Sequence, residues 1–140
     1  MADKRMLIDA MLPKFSNPLL HEAMRQLNCN QVELIPIEYK PHTRINRCHA
    51  NVELYVRMYG GQKILGYYVA VSATEKKWVA IKHSVWSNNG RLIDITPVDD
   101  ERTHNVFIWG ATQLYTDVYS YNGKIFYNNQ VIYEDTFANV

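Results

Sequence analysis

At 140 residues, 47% of them hydrophobic and 21% charged, the chain has the length of one domain and enough apolar surface to bury a core without disulfide or metal staples, which excludes a disordered or fibrous protein. Fifteen basic and fourteen acidic residues leave a net charge of +1 with no block of one sign, so neither nucleic acid nor an anionic membrane is expected as a partner. Two cysteines, Cys29 and Cys48, are too few for a disulfide framework; with an opening MADKRMLIDAMLPKF too charged and too short in apolar run for a secretory signal, and no stretch long enough to cross a bilayer, they make a cytoplasmic location the expectation.

The spacing predicts two short helices in the first 28 residues: KRMLIDAML up to Pro13, then SNPLLHEAMRQL with Ser16 as cap and Pro18 in the first turn. QVELIPIEY, Gln31 to Tyr39, alternates apolar and polar, and Pro36 makes it an edge strand. From Cys48 the period changes. Val52, Tyr55, Val56 and Tyr59 follow helical spacing and Gly60-Gly61 supply the stop.

Six β-rich segments follow: KILGYYVAVSA, KWVAIKHSVWS, RLIDITPV, NVFIWGATQ, LYTDVYSY and GKIFYNNQVIY. Turn signals fall at Thr74-Glu75-Lys76, Asn88-Asn89-Gly90 and Asn122-Gly123. An antiparallel sheet of about five or six strands is expected. The fold class is α+β, a single domain over 1–140 with a helical segment to 28, a core over 46–97 and further strands over 98–140.

Within HSVWSNNGRLIDITP, His83 and Asp94 stand on two strands joined by a tight turn. A loop of Asn88-Asn89 sets His83 directly across from Asp94; a loop of Asn89-Gly90, the better turn dipeptide, sets Asp94 opposite Val85. Both registers keep His83 and Asp94 on one face, where facing Cβ atoms lie about 4.5–5.5 Å apart. A carboxylate there fixes the tautomer of the imidazole and stabilises its protonated form. Cys48 opens the strongest helix, and the free N–H groups and positive dipole end of that helix favour a thiolate and can receive an oxyanion. If the helix packs across the sheet face that carries His83, the three become nucleophile, base and orienting group.

A cysteine opening a helix, a strand histidine and a polar residue on the next strand resemble, in that order, the papain-like superfamily, above all its transglutaminase-like and bacterial cell-wall amidopeptidase branch. HSVWSNNGRLIDITP is similar to the transglutaminase-like stretch in which H-x-x-W leads through a glycine turn to an aspartate followed by Pro or Thr. The resemblance spans roughly residues 46–97. It implies Cys48 as nucleophile, His83 as base and Asp94 as third residue of a cysteine-dependent hydrolase or acyltransferase acting on an amide, isopeptide or thioester bond, with no cofactor or metal and with a peptide or protein as substrate. RCHANV lacks the small or aromatic neighbours that commonly flank the family's cysteine. Tyr39, His42 and Asn46 are the upstream candidates for oxyanion or substrate contacts, with Trp86 beside them.

The same residues admit a plainer role: Cys48 as a small buried side chain, His83 as a satisfied core histidine, Asp94 as a cap on turn N–H groups, the whole chain as a binding module. Cys29 reads as structural. His49 points about 100° away from Cys48 around the helix, toward the surface. The three tryptophans and ten tyrosines chiefly pack the sheet. Neither the substrate nor the oligomeric state follows from the sequence.

Overall fold

The computed structural model describes residues 12–72, 74, 76–115, 117–121 and 124–127. The first expected helix, apart from Leu12, and the end of the last expected strand lie outside them. α1 (Pro18–Leu27) is capped by Asn17, not Ser16: the Asn17 side chain accepts the Leu19 N–H at 2.8 Å, and Pro18 takes the first helical position. Asn28 ends α1 in the left-handed conformation, which asparagine tolerates. α2 (Cys48–Tyr59) begins at the cysteine itself and stops at Gly60, at φ 82.

The strands are β1 (Gln31–Pro36), β2 (Gln62–Ser72), β3 (Lys77–Asn88), β4 (Arg91–Ile93), β5 (His104–Trp109), β6 (Asp117–Tyr121) and β7 (Lys124–Tyr127). They form one sheet of order β1-β5-β2-β3-β6-β7, with β4 also paired to β3 and every ladder antiparallel. β1 is an edge strand, as Pro36 requires. RLIDITPV yields only three strand residues, because the chain leaves β3 after Ile93 to meet β1. There Ile37 and Asp94 form a parallel bridge, Asp94 N–H donating to Pro36 O and Glu38 N–H to Asp94 O. That seam closes β1-β5-β2-β3-β4 into a ring.

The alternation of side chains divides the residues between two faces. Outside the ring, α1 sets Leu20, Ala23 and Leu27 on Val69, Val71, Trp78, Ala80, Val106 and Ile108, while α2 sets Val52 and Tyr55 on Trp86, Ile93 and Ile95. Inside, Ile35, Val85 and Phe107 pack with Ile64, Leu92 and Trp109. Gly66 faces His83 across β2 and β3, and a Cβ there would stand 2.8 Å from the Phe107 ring. Glycine is what lets that ring lie beside the imidazole.

Candidate active site

The hairpin closes over Asn89-Gly90, both at positive φ, so Trp86 faces Ile93 and Ser87 faces Leu92. This is the second of the two registers read from sequence. His83 and Asp94 point into the ring from the same face, and His83 Nε2 meets Asp94 Oδ2 at 2.7 Å. Both are buried, His83 at 6% exposure and Asp94 at 0%. The carboxylate accepts twice more, at Oδ1 from Thr96 N–H at 3.1 Å and at Oδ2 from Asn105 Nδ2 at 2.8 Å. A buried carboxylate needs such donors to remain charged.

Cys48 reaches the imidazole by a route other than the expected one. α2 does not pack across the face that carries His83; it lies on the outer face, against Trp86 and Ile93. On its outer edge β3 is paired with β6 over residues 79–81 and with β4 over 86–88, and in the interval between them the tip of α2 stands beside the strand. Cys48 there lines the same cleft as His83, near enough for the ring and the Ser84 backbone N–H to act on the thiol. Nε2 is committed to Asp94, which leaves Nδ1 as the ring nitrogen for a second partner. Thiol and imidazole thus meet at one cleft with the carboxylate on the imidazole's Nε2, although α2 packs on the face of the sheet opposite to the one His83 points from.

Electrostatics follow from these contacts. Burial disfavours the Cys48 thiolate, yet the hydrogen bond and charge of His83 and the Ser84 N–H outweigh it, and the thiol falls below its usual 9.0. Burial likewise disfavours the His83 imidazolium, but Asp94 and Cys48 raise it from 6.5 to about 9. The two directions support each other, the thiolate favouring the imidazolium and the imidazolium the thiolate. Cys29 is the opposite case. Buried in the α1 core and contacting Leu27 O at 3.8 Å, its thiol is pushed up to about 11, with a hydrogen bond to the Ala111 backbone opposing that rise.

A cleft of about 190 Å³ opens beside Cys48 and His83, with walls including Asn46, Tyr68, Lys82, Thr96 and Arg102. Tyr68 stands edge-on to the imidazole, ring centroids 5.2 Å apart. Asn51 stitches the loop before α2 to the connection after β4: its Oδ1 accepts Arg44 N–H at 3.0 Å, and its Nδ2 donates to Arg44 O at 2.8 Å and Thr96 Oγ1 at 3.0 Å.

Of the upstream candidates, Asn46 lines the cleft, whereas Tyr39 and His42 are not among its walls and are exposed. Trp86 is a packing residue on the outer face: its Nε1 donates to Gly60 O at 2.9 Å and its ring meets Tyr55 edge-on at 5.4 Å. His49 is half-buried, turned back onto β3 with its Nδ1 hydrogen-bonded to Ser84 Oγ; burial first, then the charges of Lys63, Lys82 and His83, lower its pKa. Sequence reading missed Asn51, Tyr68, Arg102 and Asn105. A signal existed for the last: a lone amide on the same face of an apolar strand as Phe107 and Trp109 must find a polar partner. No protein-family model, curated protein or solved structure shows a significant match to this chain.

Proposed function

We propose that the protein is a cysteine-dependent hydrolase or acyltransferase of the papain-like kind, acting on an amide, isopeptide or thioester bond of a peptide or protein. One observation carries this reading: a buried histidine bonded on Nε2 to a fully buried carboxylate at 2.7 Å shares a cleft with a thiol at a helix start.

The Cys48 thiolate attacks the carbonyl carbon, and the first-turn N–H groups of α2, which have no acceptor within the helix, receive the oxyanion. Collapse breaks the bond to the leaving group, which takes the proton from His83 Nδ1. The resulting thioester is resolved by water or an amine, His83 now accepting the proton and Cys48 leaving as thiolate. Throughout, Asp94 keeps the proton on Nε2 and stabilises the imidazolium.

The test is acyl-enzyme formation from p-nitrophenyl acetate, read as a p-nitrophenolate burst and as an acetyl group mapped to Cys48 by peptide mass spectrometry. Cys48→Ala is expected to remove the burst and His83→Ala to slow it about a hundredfold or more, the ordinary worth of a positioned base. A burst that survives His83→Ala unchanged would overturn the reading.

A further inference from the structure

We propose that Asn105 is a positioning residue of this site, its side-chain amide holding the Asp94 carboxylate in the orientation that presents Oδ2 to His83. The inference rests on the reading of Cys48 and His83 as nucleophile and base. Asn105 opens the inner face of β5 at 3% exposure, opposite Ile35 of β1, with Nδ2 2.8 Å from Asp94 Oδ2.

An amide fits a pocket either way round unless a neighbour decides, and here Arg102 decides. Its Nη1 donates to Asn105 Oδ1 at 2.9 Å. A guanidinium only donates, so the carbonyl end must face Arg102 and the NH₂ end must face Asp94. Arg102 is itself fixed, its Nε lying 2.9 and 3.0 Å from the two carboxylate oxygens of Asp100 and its guanidinium 5.4 Å above the Tyr68 ring. Orientation therefore passes from the loop after β4 through Arg102 and Asn105 to the carboxylate.

Thr96 N–H restrains one oxygen of Asp94 and Asn105 the other. With both held, the carboxyl plane cannot swing away from Nε2. Without Asn105, Oδ2 keeps only the imidazole, and the carboxylate is free to turn. The remaining charged or titratable groups facing the site, among the described residues, are Tyr68 from β2, Lys82 from β3, His49 from α2 and Asp99 from the loop after β4. None of them supplies a restraint on Asp94.

The pH dependence of Cys48 alkylation by iodoacetamide tests this without any knowledge of the substrate. In the wild type the acid limb is expected below that of a free thiol; in Asn105→Ala it moves up by about one pH unit, so labelling on the acid side of both limbs slows about tenfold. Glu22→Ala, which loses the bond to Trp78 Nε1 on the outer face, leaves the limb in place and so separates positioning from general loosening. Should Asn105→Ala fail to fold, Arg102→Met carries the test: it frees the amide to flip and shifts the limb the same way. A folded Asn105→Ala, or in its place Arg102→Met, with the wild-type limb overturns the role of Asn105 alone. A wild-type limb already at the ordinary thiol value overturns the underlying reading of the site.

Discussion

Asp94→Asn is the substitution that asks most of this structure. It preserves shape and replaces one acceptor oxygen by a donor, and the three contacts decide where. Oδ2 accepts from two groups and Oδ1 from one, so the new NH₂ goes to the Oδ1 position and faces the Thr96 N–H, while the remaining carbonyl oxygen still meets His83. What vanishes is the charge. In the wild type His83 is held at about 9 rather than 6.5, a preference of about 3 kcal/mol for the imidazolium in which the Asp94 hydrogen bond is the largest favourable part. Burial, which pushes the other way and is the largest single influence on the ring, is then opposed by Cys48 and a neutral amide. His83 is expected to titrate at or below 6.5 in the variant, followed through its imidazole Cε1–Hε1 resonances across a pH series. Titration that persists near 9 in a folded Asp94→Asn would refute the assignment of the carboxylate as the source of the imidazolium's stability.

Two further outcomes follow from the same contacts. The pH profile of acylation by an anilide, whose leaving nitrogen must be protonated, should be bell-shaped: it rises at a pH below the 9.0 of a free thiol, because the Cys48 thiolate is favoured, and falls near 9 as His83 loses the proton that the leaving group needs; a rate still climbing beyond that pH would count against the pair. Asn51→Ala should cost about 1–3 kcal/mol in urea denaturation, since Thr96 Oγ1 and both backbone groups of Arg44 lose their partner; a change under about 0.5 kcal/mol would mean that water replaces the amide without loss.

The parts legible in the sequence are those fixed by local chemistry. Asn89-Gly90 sets the hairpin register through its need for positive φ, and either register open to that turn puts His83 and Asp94 on one face. Helical spacing with the Gly60 stop places Cys48 at a helix start. The face on which α2 packs was not legible, because Trp86 and His83, three residues apart on one strand, point to opposite sides, and nothing local says which of them the helix covers. The interval on the β3 edge depends on how far β6 and β4 extend, a matter of pairing between segments distant in the chain. Trp86 was misplaced for the same reason. Tyr39 and His42 were proposed on their position upstream of Cys48, which carries no information about where the connection runs.

The parallel bridge between Ile37 and Asp94 means that the residue bonded to His83 is also a rivet in the wall of the ring. Local breathing that parts β1 from β4 lets go of the Asp94 backbone on both sides before the rest of the sheet is disturbed. The reactivity of the Cys48 thiol should therefore change on warming before the far-UV signal is lost, the site coming apart at its joint while the chain is still largely folded.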